Sequence, residues 1–139
     1  MIREIIYAIW QHFLSHTESG GLYDLLSGRL YFGEAPESAV MPYGVFYGIS
    51  ETADGFYSGI DADLRLQLSL FSNEKGAEEV LKLQDAAISL FDGARLPLPA
   101  WAASRFIAVA YVSSIPPQRV EDAWQAVLEF SVRYDLPAG

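Results

Sequence analysis

The sequence contains no cysteine. A disulfide framework and a thiolate zinc site are therefore excluded, and stability has to come from packing. Basic residues are also scarce, with 9 Lys and Arg against 18 Asp and Glu, a formal net charge of -9. Such a surface repels nucleic-acid phosphates and anionic lipid headgroups alike, which argues against direct DNA binding and against membrane association. No stretch approaches the roughly 18 uninterrupted apolar residues of a spanning helix. The opening Met1-Ile2-Arg3-Glu4 sets charge inside the apolar pattern, so the reading predicts neither export nor insertion. Internal repeats, coiled-coil heptads and low-complexity tails are missing as well.

Apolar residues, in contrast, are plentiful: 51% of the chain is hydrophobic and 19% charged. That proportion can offset the conformational entropy lost on folding. At 139 residues and 15.4 kDa, residues 1–139 are expected to form a single domain.

Ile2, Ile5, Ile6, Ile9 and Phe13 recur at helical spacing and predict an amphipathic helix from Ile2 to His16, ended by polar residues and Gly20-Gly21. A further turn at Leu22–Leu26 and a short extended piece at Arg29–Phe32 follow. Tyr43 to Ile49 predicts a strand with one bulky face and a face bared by Gly44 and Gly48, open to a partner backbone. Glu51 to Asp63 is rich in Gly, Asp and Ser and reads as a long hairpin connection. Leu64, Leu66, Leu68 and Leu70 alternate with polar residues, the pattern of a half-buried strand.

Ser72 and Asn73 are placed to cap a second helix, from Glu74 to Phe91, with a stripe of Ala77, Val80, Leu81, Ala87, Ile88 and Phe91. After the loop Leu96-Pro97-Leu98-Pro99, Phe106 to Val112 predicts a third strand, with Pro116-Pro117 marking the turn. Trp124, Ala126, Leu128, Phe130, Val132 and Tyr134 then alternate as a last strand. The predicted fold class is α+β, with two main helices packed on one face of an antiparallel sheet of about four strands and a projecting hairpin loop.

Reactive constellations are sparse. His12 and His16 lie four apart, a spacing that can aim two imidazoles at one ion, but no further convergent ligand is identifiable and exposed helix positions explain them. Asp54, Asp61 and Asp63 lack the ligand spacing of an EF-hand and read as a solvated acidic loop. There is no G-x-S-x-G elbow and no G-x-x-x-x-G-K phosphate cradle. Glu78, Glu79 and Asp85 read as a solvated helix surface. No catalytic, cofactor-binding or metal-binding residue is therefore expected, and no cofactor.

Aromatic residues make up 14% of the chain, and interfaces concentrate such side chains at their energetic centres. Trp10 beside the main helical stripe, and Phe56, Tyr57 and Trp101 in predicted loops, are the candidate contacts between subunits or to a tube. Local packing competes as the explanation for each.

The segments Gly28-Arg29-Leu30-Tyr31, Ala35-Pro36 and Met41-Pro42-Tyr43-Gly44-Val45-Phe46, followed by Leu66-Gln67-Leu68-Ser69-Leu70-Phe71-Ser72 and the helix from Glu74 to Phe91, resemble in type and order the bacteriophage tail-completion proteins grouped as DUF3168. The resemblance covers most of the chain, and Ala94 to Pro117 departs from it. It implies a structural, non-enzymatic tail terminator: a ring, commonly of six subunits, that caps the tail tube, ends its polymerisation and offers a head-tail joining surface. The implied partners are further copies of the chain, the major tail tube protein and the head-tail connector protein. The implied location is the virion tail, and the bacterial host cytoplasm during assembly. Another neck or head-closure protein, and a small ligand-binding or enzymatic α+β domain, are the alternative readings.

Overall fold

The computed structural model describes residues 2–54, 61–99 and 106–135, with the backbone alone at 2, 49–54, 61–62 and 135. Phe56, Tyr57 and Trp101 lie outside the described residues. The elements run α1 (Ile2–Ser15), α2 (Leu22–Leu26), β1 (Leu30–Phe32), β2 (Tyr43–Asp54), β3 (Asp61–Ser72), α3 (Glu78–Phe91), β4 (Arg95–Pro97), β5 (Phe106–Val120) and β6 (Ala123–Asp135).

The strands form one six-stranded sheet in the order β1-β2-β3-β6-β5-β4, with β1 parallel to β2 and every other pair antiparallel. This overturns the predicted fold class. The chain is mostly strand, in a mixed, curled sheet with few helices, and not two helices on about four antiparallel strands. Two causes account for the difference. The outermost strands β1 and β4 have three residues each, too few to show a period of two. The inner strands, meanwhile, run far past the segments whose composition announces them.

Glu51 to Asp54 and Asp61 to Asp63, read from composition as loop, are paired strand: Thr52 faces Asp63, Ala53 faces Ala62 and Asp54 faces Asp61. Cross-strand pairing outweighs the weak strand preference of Asp, Glu and Ala. Pro116-Pro117 does not turn the chain either. The strand continues to Val120 and the turn falls at Glu121-Asp122, with Glu121 at φ 56. Proline is tolerated here because the flanking β4 pairs only with Phe106 to Ala108, so no ladder partner needs the missing N–H groups, and a register irregularity between Ile115 and Gln118 absorbs the extra residue.

One face of the sheet carries Phe46, Leu64, Leu66, Leu68, Leu70, Ile107, Val109, Ala126, Leu128, Phe130, Val132 and Tyr134, all buried. Against it pack Ile5, Ile9 and Phe13 of α1, Leu22 and Leu26 of α2, and Val80, Leu83, Ala87 and Phe91 of α3, as one continuous core. Gly44 belongs to this face. A Cβ there would lie 3.0 Å from Leu30 Cδ1 and 3.1 Å from Leu70 Cδ2, so the bared face of β2 is filled by the protein's own leucines and not by a partner.

The helix ends follow local chemistry. α2 closes on Ser27 in the left-handed region, with Gly28 N–H donating to Tyr23 O and Ser27 N–H to Asp24 O, the two reverse bonds of a Schellman turn. α3 starts at Glu78, four residues after the expected Glu74, without a side-chain cap. Ser72 Oγ donates to the Glu79 carboxylate at 2.7 Å and accepts the Glu74 N–H at 3.3 Å, so it braces the loop ahead of the helix while Ala77 occupies the N-cap position.

Candidate assembly surface

The alternate residues of the same strands form the second face of the sheet, on which no described helix packs. Register places them in rows across four strands: Tyr43, Phe71, Gln125 and Gln118; then Val45, Ser69, Val127 and Ile115; then Tyr47, Gln67, Glu129 and Ser113. The first two rows are largely apolar and extend by the aromatic pairs Tyr43–Phe71 (5.0 Å between centroids) and Tyr31–Tyr43 (6.0 Å) as far as β1. Ile115 is 51% exposed and Val120, near the hairpin turn, 52%.

Further along the strands this face is polar and internally paired. Arg65 bridges Asp63 (3.5 Å) and Glu129 (3.4 Å), Ser131 Oγ donates to Asp63 (3.0 Å), and Gln67 Nε2 donates to the Tyr47 hydroxyl. Both ion pairs are partly solvated, so each stabilises the fold by about 1 kcal/mol or less. Ser69 and Ser131 are buried beneath these longer neighbours.

The distal half of the β5–β6 hairpin is held in place. Arg119 donates to Glu74 O (3.0 Å) and Lys75 O (3.4 Å), the Trp124 indole N–H donates to Lys75 O (3.2 Å), and the Arg119 guanidinium sits 5.6 Å from the Trp124 ring centroid. Ile115 and Val120 are thereby presented on a fixed platform. The sheet edges are blunted: β1 and β4 are three residues long, and Pro116 and Pro117 remove donors from the open stretch of β5. Association by strand addition is disfavoured, which leaves side-chain faces.

A second apolar patch lies on α1. Tyr7 is 46% and Leu14 45% exposed, and half-buried Trp10 falls between them on the same flank. Trp10 packs edge-on against Phe13 (5.9 Å) and Phe46 (6.1 Å), and Phe46 also receives Phe32 (5.3 Å), so the patch continues to the exposed Phe32 at the sheet edge. Of the four sequence-predicted contact residues, Trp10 is thus the one inside the described structure. The exposed residues of the uncovered face were not singled out by sequence, because Ile115 stands beside a proline pair that mimics a turn.

A cleft of about 740 Å³ separates the end of α1 and the following loop from α3, lined by His12, His16, Glu18, Leu25, Lys82 and Asp85 among others. The histidines are half-buried, not exposed as their positions on a short polar stretch implied, because α1 ends against the end of α3. His12 Nε2 donates to Leu90 O at 2.8 Å, His16 Nδ1 donates to His12 O at 2.8 Å, and the two rings lie with centroids 4.3 Å apart, tilted by 53°. Burial pushes the His12 pKa down, opposed by its bond to Leu90 O. Among the described residues no group of three His, Asp or Glu side chains converges as a metal set. Asp54 and Asp61 are register partners at the end of their strands, and Asp63 is committed to Arg65 and Ser131. No described helix is long and apolar enough to cross a membrane.

No protein-family model matches the chain, and no curated protein matches it. Among solved structures, a chain from the virion of a native gene transfer agent particle is similar at a TM-score of 0.70, with 20% identity over 93% of this chain and 92% of that one. Another solved chain is similar at a TM-score of 0.60, with 13% identity over 95% of both. At these identities the likeness establishes a shared fold across nearly the whole chain.

Proposed function

We propose that the chain is a structural, non-enzymatic component of a phage-like particle, and specifically a tail terminator: it caps the tail tube as a ring, ends tube polymerisation and forms the surface that joins the head. The observation that carries this reading is the sheet face on which no described helix packs, apolar toward the hairpin and β1, on a fold shared over nearly its whole length with a chain from a virion particle. A single-layer sheet that buries one face on its own helices leaves the other for neighbours.

The ring, of six subunits in the resemblance noted from the sequence, would contact the major tail tube protein below and the head-tail connector above. Such a role places the chain in the virion tail, and in the bacterial host cytoplasm while tails assemble. The acidic balance suits a bore through which DNA passes without adhering.

Deleting the gene from the phage or prophage that carries it and imaging the particles tests the reading. Tails of unregulated length without heads are the expected result. Tails of normal length without heads would assign the chain to the neck or head closure instead, and normal tails joined to heads would refute a structural role in this region.

A further inference from the structure

The cleft between the end of α1 and α3 plays no part in the tail-terminator reading, and its walls carry a consistent chemistry. At about 740 Å³ it falls within the ~300–1,000 Å³ of sites that hold small ligands. The donors around it are already spent. Gly20 N–H donates to the Asp24 carboxylate at 3.0 Å and Gly21 N–H to Glu18 O at 3.1 Å, so the glycine turn offers no nest of amides to an anion. His12 and His16 each give a ring N–H to a backbone carbonyl, Leu90 O and His12 O respectively. The Lys82 ammonium lies 3.4 Å from the Glu78 carboxylate, one helical turn back.

Acceptors remain. A neutral imidazole that donates through one nitrogen accepts through the other, which leaves Nδ1 of His12 and Nε2 of His16. With the ring centroids 4.3 Å apart, charging both rings sets like charges side by side, which favours keeping one neutral. Glu18 and Asp85 also line the cleft, both exposed, and among the described residues neither carboxylate makes a hydrogen bond or ion pair. Glu18 is near enough to His12 to favour positive charge there. Leu25, Ala86 and Leu90 supply an apolar wall. We propose that this cleft binds the guanidinium of an arginine side chain presented by a partner protein, held by the Glu18 and Asp85 carboxylates and the imidazole acceptors. Arginine brings five donors and no acceptor, and its methylene stem suits the apolar wall. The net charge of -9 draws a basic partner to the surface. A metal ion fits less well, since among the described residues no three His, Asp or Glu side chains converge.

His12 and His16 are the two histidines of the chain, so their ring C–H signals in a proton NMR spectrum report on the cleft directly. The full chain is titrated with N-acetylarginine amide and, in parallel, with its neutral isostere N-acetylcitrulline amide, with sodium acetate and with zinc chloride. Saturable shifts of the histidine signals are expected with the arginine probe and not with citrulline or acetate. In a chain carrying Glu18→Gln and Asp85→Asn, two changes at exposed positions, the arginine affinity should fall about fivefold or more, the worth of two solvated charge contacts, with the urea midpoint unmoved. Either single variant, with a smaller loss, serves if the double one misfolds. Equal shifts from citrulline, no shift from arginine, or an undiminished affinity in the double variant would overturn the proposal. Shifts with zinc and none with arginine would mark a metal site and overturn it as well.

Discussion

Leu66 and Gln67 are neighbours in β3, yet they belong to surfaces with different tasks. Leu66 is buried beneath the helices with Phe46 and Phe130, whereas Gln67 donates to the Tyr47 hydroxyl on a face that no described helix covers. The same alternation holds for Leu128 and Val127 in β6. One set of residues holds the fold together through close packing, and the other leaves polar pairs and apolar side chains at the surface. Stability and the proposed assembly contacts therefore fall on opposite faces of the same strands, and substitutions can separate them.

The largest effect is expected on the core face. Leu128→Ala removes a fully buried side chain from the middle of the sheet and should cost about 2–5 kcal/mol in urea denaturation. Ile115→Ala on the uncovered face should cost about 0.5 kcal/mol or less. Equal losses would dissolve the distinction between the faces. Next comes Gly44→Ala, where the new methyl meets Leu30 and Leu70 at 3.0 and 3.1 Å and should cost about 1–3 kcal/mol, while Gly76→Ala, with nothing within 4 Å, should be nearly neutral. A neutral Gly44→Ala would show that the core side of β2 has room to spare.

A smaller effect is expected from the polar network. A double-mutant cycle on Arg65 and Glu129, both about one-third exposed, should give a coupling of about 1 kcal/mol or less, diminished by salt. A much larger coupling would mean that this part of the face is shielded from water even in the isolated chain.

A pH titration of stability probes the helix layer. His12 holds its proton less readily when folded than when unfolded, because burial disfavours the charged ring; the Leu90 carbonyl and Glu18 oppose this and His16 adds to it. The unfolded chain therefore takes up the proton first as pH falls. Stability should be full above the ordinary imidazole range and decline as pH drops through it toward the lowered folded value, levelling below that. Urea midpoints across this range should be flatter for His12→Gln than for the parent chain. Identical slopes would remove His12 as the cause.

Much of this division was legible in the sequence, though not the sheet that carries it. The leucines at 64, 66, 68 and 70 and the alternation from Ala126 to Tyr134 mark the core face, since burial on one side imposes a period of two. The stripe Ile5, Ile9 and Phe13 likewise marks the buried side of α1. Pro116-Pro117 hid the outer half of β5, because a proline pair signals a turn unless the strand is known to lie at an edge. The glycines of β2 misled in the other direction. Gly44 bares the face that meets the protein's own leucines, so the face on which no described helix packs is the bulky one, bearing half-buried Tyr43 and Tyr47 on either side of buried Val45. Which side of an alternating strand faces solvent depends on where the helices pack, and that is a tertiary fact. Trp10 lies beside the main stripe and is half-buried against Phe46, whereas the exposure of its neighbours Tyr7 and Leu14 is seen only once α1 is placed on the sheet.

The central claim, that the uncovered sheet face is where the chain meets its neighbours, is tested most directly by restoring a deletion with the Ile115→Glu chain and measuring tail lengths by electron microscopy. With urea stability within about 0.5 kcal/mol of the parent, as an exposed site allows, the account expects long, uncapped tails resembling those of the deletion. Capped tails of normal length would contradict it.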